Sequence, residues 1–242
     1  TADIYTRSLH GALPIYFFLR REIIKSVTKS RFMPPWPADP TYTHFIDEKV
    51  LSQTEIDLIA KWVEEGCPIG DSTKIPTVPN FPYHSQLGKP DLVVKFQKPY
   101  HIKGNAQDRF LLMRVPFQIP KDTFVRAIEI EPGNRAVVHH INAQLLSYDF
   151  NKRKNVFKGN TVVDIDSFPT TLAAYEALDL ANDDGTYPLL TQSVTNYLPG
   201  ALPTIYPEGI GGYLLPRKGA FFLKDIHYGP CRIDTTDNTT FN

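Results

Sequence analysis

The sequence predicts a mainly β protein: an antiparallel jelly-roll or sandwich domain preceded by a small α-helical segment. Two observations carry this prediction. In the first 75 residues apolar side chains recur at helical spacing, and beyond residue 91 the period changes to two. The later runs are short and are separated by Pro, Gly, Asn and Asp, which is typical of antiparallel sandwiches and jelly rolls.

The helical segment, residues 1–75, is expected to contain two helices. The first lies in "LPIYFFLRREIIKSVTKSRF", where Pro14 stands near the start and its missing N–H costs nothing. Its apolar stripe has helical spacing and consists of Tyr16, Leu19, Ile23 and Val27. The prolines of "MPPWPADP" end this helix, because proline removes a backbone donor and clashes with the preceding turn.

The second predicted helix lies in "LSQTEIDLIAKWVEEGCP". Ser52 and Glu55 have the spacing of a capping box, in which each side chain binds the other residue's backbone N–H. Ile56 and Val63 belong to its apolar face, and Gly66 marks its end.

Beyond this helix we predict a proline-rich linker over 76–91 and a β domain over 92–242. Four prolines fall between residues 76 and 90, and that stretch has no periodicity. The predicted strands lie in "DLVVKF", "RFLLMRVPF", "FVRAIEIEP", "AVVHHINAQLLSYDF" and "AFFLKDIHYGP". A helical excursion is expected within 168–190, in "TTLAAYEALDLANDDGTYP".

Composition excludes several classes of function. The net charge of the 242-residue chain is zero, which argues against a nucleic-acid partner. No apolar run approaches the roughly 20 residues of a membrane span, so no transmembrane segment is expected. The only cysteines, Cys67 and Cys231, include no CxxC pair, which disfavours a thiolate zinc site. A disulfide between them stays open at this point.

The adjacent histidines His139 and His140 lie inside a predicted strand. Successive strand side chains point to opposite faces, so both rings reach one ion only in strand-end or twisted geometry. A third histidine, His227, ends another predicted strand, and three imidazoles from two strands can form a metal site. For His10, His84 and His101 we expect surface or hydrogen-bonded roles.

Three motifs in this order resemble the copper type II, ascorbate-dependent monooxygenases, the family of the peptidylglycine α-hydroxylating and dopamine β-monooxygenases. They are the pair His139-His140 in "AVVHHINAQLL", the Pro-x-Gly-x-Gly segment in "YPEGIGGYLL", and His227-Tyr228-Gly229 in "AFFLKDIHYGP". The resemblance covers roughly residues 92 to 230. It implies that His139, His140 and His227 bind the electron-transfer copper in a jelly-roll domain.

The front segment resembles the second half of a c-type cytochrome module, of the kind that bacterial proteins fuse to such copper domains. This resemblance rests on "MPPW" and on "LSQTEIDLIAKWVEEGCPIGD". It implies that Met33 is the distal ligand of haem c; the alternative is that Met33 fills a core beside Trp36. The attachment motif CxxCH is absent from the sequence, so we expect either that it precedes Thr1 in a longer protein or that this copy of the module has lost its haem.

Together the resemblances imply an exported redox protein of the periplasm or cell surface. It would be the electron-transfer copper half of a bacterial monooxygenase that hydroxylates C–H bonds with O2, fed by a c-type haem as redox partner. The family's catalytic copper uses a His-x-His motif and a Met in a following domain. This sequence has no His-x-His, so we expect a C-terminal catalytic domain or continuing chain after Asn242.

Two other functions remain open: a non-catalytic copper or electron carrier, and a partner-binding β-sandwich whose histidines are structural. Near the predicted site, Asp225 is a candidate acceptor for a ligand ring by position, or else a solvent-facing carboxylate. Asn142 is a candidate to orient His140. Tyr228 is expected either beside the site or within the sheet.

Overall fold

The computed structural model describes residues 17–36, 38–39, 41–45, 48–68, 70–71 and 85–242. The chain divides into two compact units, Thr1–Pro79 and Asn80–Asn242. Several features of the predicted organisation lie outside the described residues: Pro14, Tyr16, His10, His84 and most of the linker 76–91.

The described residues of the first unit include two helices, α1 (Arg21–Lys29) and α2 (Gln53–Glu64). The predicted capping box at the start of α2 is confirmed. Ser52 Oγ accepts from the Glu55 backbone N at 3.3 Å, and Glu55 Oε2 accepts from the Ser52 backbone N at 2.7 Å. These bonds hold the pKa of the Glu55 carboxyl below its usual value.

The apolar stripe predicted for the first helix is buried only in part: Val27 is half-buried, and Tyr16 lies outside the described residues. Leu19 and Ile23 are exposed, and the buried residue of α1 is Thr28. Burial of that hydroxyl is tolerated because Thr28 Oγ1 donates to the Ile24 carbonyl at 2.8 Å. From α2, Ile56 and Val63 are buried, as the sequence predicts.

The second unit is mainly β, as predicted, and all its strand pairs are antiparallel. The described strands are β1 (Val94–Lys95), β2 (Tyr100–Ile102), β3 (Arg109–Gln118), β4 (Thr123–Val125), β5 (Ile130–Glu131), β6 (Val138–Ser147), β7 (Val162–Asp164), β8 (Leu189–Tyr197), β9 (Tyr213–Leu215), β10 (Lys218–Tyr228), β11 (Thr235–Asp237) and β12 (Thr240–Phe241). They form a five-stranded sheet in the order β7-β3-β10-β6-β8, a three-stranded sheet β1-β12-β5, and the pairs β11-β2 and β4-β9.

The main hydrophobic core lies on one face of the five-stranded sheet. Residues of β3, β6 and β10 meet residues of the three-stranded sheet there. Phe221 of β10 and Phe241 of β12 stack with ring centroids 4.2 Å apart, which joins the two sheets. Apolar burial of this kind is the principal favourable term in folding.

The opposite face of the five-stranded sheet carries a second apolar cluster over part of its length. The cluster packs against the helix α3 (Thr171–Ala177), which is the shorter form of the predicted helical excursion. Phe222 of β10 and Leu146 of β6 belong to this cluster. Farther along the same two strands this face carries the histidines. None of the helices in the described part of the chain has the length and apolar character needed to span a bilayer.

Candidate metal centre

The three predicted histidines converge at one end of the five-stranded sheet. One ring nitrogen from each of His139, His140 and His227 lies within 4.8 Å of the other two. The ring centroids are 5.6 Å apart for His139 and His140, 4.8 Å for His139 and His227, and 5.1 Å for His140 and His227. The convergence that the sequence predicts is therefore present.

A β-bulge in β6 explains how two adjacent rings reach the same face. Val138 pairs with Tyr228 and His140 with His227, so His139 is an extra residue on β6. Val138 and Ile141 both belong to the main core. The two histidines between them therefore both project from the opposite face, where strict alternation would have separated them.

A second bulge, in β10, directs the third histidine. Leu223 pairs with Ala143 and Asp225 with Asn142, so Lys224 is the extra residue. Leu223 lies in the main core, and Ile226 lies there too, three positions later. This change of phase turns Asp225 and His227 away from the core and toward His140.

Two ring nitrogens of the cluster already face carboxylates. His140 Nε2 lies 2.8 Å from Asp225 Oδ2, and His227 Nε2 lies 2.6 Å from Asp108 Oδ1. A carboxylate can only accept, so Nε2 of each ring carries the proton and Nδ1 keeps its lone pair. The nitrogen available to an ion in both rings is therefore Nδ1.

The spacing of the first two rings matches that of metal ligands. His139 Nδ1 lies 3.3 Å from His140 Nδ1. Two nitrogens that each lie about 2.0 Å from a common ion, at a tetrahedral angle, are about 3.3 Å apart. All three ligand atoms lie within 4.8 Å of one another. The donor set, three neutral imidazoles, suits Cu, Zn, Fe or Ni.

Sequence reasoning missed two residues that hold His227. Phe110 stacks on the His227 ring with centroids 4.2 Å apart and an interplanar angle of 13°. Asp108, one residue before β3, makes the 2.6 Å contact with Nε2. Both follow from the antiparallel register that pairs His227 with Phe110. No sequence motif marks that register, so neither residue had a signal of its own.

Three further residues that the sequence placed near the site have defined contacts. Asp225 contacts His140, and its side chain is 41% exposed, so it combines the two roles that the sequence left open. Asn142 reaches His140 through Asp225, because Asn142 Nδ2 donates to Asp225 Oδ2 at 3.2 Å. Tyr228 fills the sheet: it is fully buried and its hydroxyl donates to Asp237 Oδ2 at 2.9 Å. Burial beside that carboxyl raises the pKa of Tyr228.

In the first unit, Met33 is partly exposed and lines a cavity of about 60 Å³ together with Trp36 and Ile56. Sites for cofactor-sized ligands have volumes of about 300–1,000 Å³. This cavity therefore does not fit a haem. His44, the histidine that the structure describes in this unit, lies 2.8 Å from Glu48 Oε1 and is exposed.

The remaining candidates take no part in the cluster. Cys67 and Cys231 are free thiols. His101 is an exposed residue whose Nε2 lies 3.5 Å from Asp234 Oδ2, in keeping with the surface role expected for it.

Comparisons of the chain with protein-family models, with curated proteins and with solved structures return no match.

Proposed function

We propose that the Asn80–Asn242 unit binds one copper ion through His139, His140 and His227 and serves as the electron-transfer domain of a copper-dependent monooxygenase. The observation that carries the proposal is the convergence of three ring nitrogens within 4.8 Å on one face of a rigid sheet. The order of the motifs that contain these histidines supports the same function.

Copper is the metal that this donor set favours among those that imidazole binds. The affinity of a nitrogen site for divalent first-row metals rises to a maximum at Cu²⁺. Within the β unit the one methionine, Met113, lies in the main core on the other face of the sheet, so it offers no thioether to the cluster. A bound copper would supply one-electron chemistry, cycling between Cu(I) and Cu(II). The chain's own residues hold the rings and leave His139 exposed at the rim of the site.

The fold of the β unit and the origin of the first unit are part of the same proposal. We assign the β unit as a jelly-roll domain because its two larger sheets are antiparallel and enclose one core. The sequence of the first unit supports a cytochrome-like origin, but the 60 Å³ cavity at Met33 does not fit haem c. No electron-transfer step is therefore assigned to a haem in this unit.

Catalysis in this proposal needs a partner. Hydroxylation of a C–H bond by O2 takes place in this family at a second copper held by a His-x-His and a Met, and the sequence has no His-x-His. We therefore assign the oxygen chemistry to a catalytic domain outside these residues. An exported location, in the periplasm or at the cell surface, is part of the proposal.

Copper stoichiometry tests the proposal. The protein is loaded with Cu(II), freed of excess metal, and assayed for copper per chain and for its EPR signal before and after ascorbate. We expect one copper per chain and a signal that ascorbate removes. His140→Ala and His227→Ala should lose most of this copper, whereas the control His101→Ala should retain it. Equal copper in all variants would overturn the assignment, and copper that ascorbate cannot reduce would favour a non-redox carrier.

A further inference from the structure

The two carboxylates beside the histidine cluster have a role that the proposed function does not include. Resting on that function, we propose that Asp108 and Asp225 are positioning residues that act through His227 and His140 and bias the bound copper toward its oxidised state. The juxtaposition of one carboxylate with the outer nitrogen of each ring carries this inference.

Each carboxylate contacts Nε2 of its ring, Asp225 on His140 and Asp108 on His227, which leaves Nδ1 of both rings without a carboxylate. His139 and His140 approach each other through their Nδ1 atoms, 3.3 Å apart. In the proposed site, Asp108 and Asp225 therefore occupy the ring nitrogens that the ion does not use. They select the tautomer that presents a lone pair at Nδ1, so each ring is prepared for binding before the metal arrives.

Burial distinguishes these pairs from ordinary surface ion pairs. The His227 side chain is 13% exposed and the His140 side chain 22% exposed, with contacts of 2.6 and 2.8 Å to their carboxylates. In the surface pair of His101 and Asp234, by contrast, both side chains are 63% exposed and the contact is 3.5 Å. A shorter and less solvent-exposed contact fixes the orientation of the ring more strongly, and solvent screens its charge less.

Each pair is reinforced by another side chain. Asn142 donates to Asp225 Oδ2 at 3.2 Å, which holds that carboxylate against His140. Phe110 stacks on His227 and limits rotation of that ring. His139 has no carboxylate partner among the described residues. The site therefore combines two held ligands with one exposed ligand.

The charge of the pairs gives the direction of the redox effect. Two carboxylates within hydrogen-bonding distance of the ligand rings place negative charge close to the ion. Coulomb attraction stabilises Cu(II) more than Cu(I), and a carboxylate acceptor makes the imidazole a stronger donor. Both effects lower the Cu(II)/Cu(I) reduction potential.

Isosteric substitutions separate charge from orientation. In Asp108→Asn and Asp225→Asn the side-chain oxygen still accepts from Nε2, but the negative charge is lost. We expect Cu(II) affinity to fall about 10- to 100-fold in each variant, the usual effect of such outer partners. Each tenfold loss confined to Cu(II) raises the one-electron potential by about 59 mV. Asp234→Asn, which alters the surface pair, is the matched control and should leave affinity and potential unchanged.

A second readout needs no metal. In the copper-free protein, ¹⁵N NMR should show His140 and His227 as the Nε2–H tautomer, and Asp108→Ala and Asp225→Ala should each shift only their own ring toward a mixture. Unchanged potentials in both Asn variants of a protein that binds copper would overturn this inference and leave the proposed function standing. Wild-type protein that binds no copper would overturn both.

Discussion

His140 and His227 lie directly opposite one another on the adjacent antiparallel strands β6 and β10, with ring centroids 5.1 Å apart. The pairing joins two segments that are distant in sequence. The histidine cluster therefore forms only when the centre of the five-stranded sheet has formed, and ligand binding and sheet stability are coupled.

Metal binding should stabilise the β unit. A ligand that binds the folded state at 100 times its dissociation constant adds about 2.7 kcal/mol to the free energy of unfolding. We expect Cu(II) to raise the unfolding temperature and a chelator to return it to the metal-free value. Calorimetry with and without copper checks this. In His227→Ala the increase should be absent, and an equal increase in that variant would show that copper binds elsewhere.

Phe110 should matter for binding more than for folding. Its side chain is partly exposed, so Phe110→Ala is expected to lower the free energy of unfolding by only about 1 kcal/mol. The loss of the 4.2 Å stack frees the His227 ring, and copper affinity should fall. Isothermal titration measures the affinity, and denaturant unfolding measures the stability. Phe124→Ala, at a more exposed phenylalanine of β4, is the control; a similar loss of affinity there would contradict the stacking role.

Asp237 should be a major stability determinant of the same end of the sheet. This buried carboxylate accepts from Tyr228 Oη at 2.9 Å, from Thr239 Oγ1 at 2.8 Å and from the Asn134 backbone N at 3.0 Å. Asp237→Ala leaves these donors without their acceptor, and each buried unpaired donor costs about 1–3 kcal/mol. We expect Tyr228→Phe, which removes one bond, to cost less. Urea unfolding compares them, and equal stabilities of wild type and Asp237→Ala would refute this role.

Alkaline pH should destabilise the β unit through Tyr228. Burial and the neighbouring Asp237 raise the pKa of Tyr228 above the ordinary tyrosine value of 10.0. Below pH 10 the Tyr228 hydroxyl is protonated in both the folded and the unfolded state, so its contribution to the free energy of unfolding is fully present. Above pH 10 the unfolded tyrosine ionises while the folded one stays protonated, and the free energy of unfolding falls. Urea unfolding at pH 9 and pH 11 should show a smaller loss in Tyr228→Phe than in the wild type; an identical loss would assign the effect to other groups.

The sequence predicted elements whose signals are local. The change from helical to alternating periodicity identified the mainly β unit, and Ser52 with Glu55 located the start of α2. The convergence of the three histidines was also predicted, because their strands carry separate motifs. Asp108 could not be found in this way, since its contact with His227 depends on the register between β3 and β10.

The bulge in β6 is visible in the alternation of apolar residues, but its effect on the direction of the histidine rings is not. In β6 the apolar residues Val138 and Ile141 are three positions apart, so the alternation breaks at the two histidines. That break is visible in the sequence, but only the pairing with β10 shows that it places both rings on one face. The route by which Asn142 acts on His140 was hidden for the same reason, because the side chain opposite it in the sheet, Asp225, takes its hydrogen bond.

The central claim is that His139, His140 and His227 bind one copper ion together. A crystal structure of the copper-loaded protein, with anomalous scattering measured at the copper edge, tests it most directly. The account predicts a single anomalous peak within bonding distance of Nδ1 of His140 and His227 and of a ring nitrogen of His139. A stoichiometric copper located away from these rings, or bound by only one of them, would contradict it.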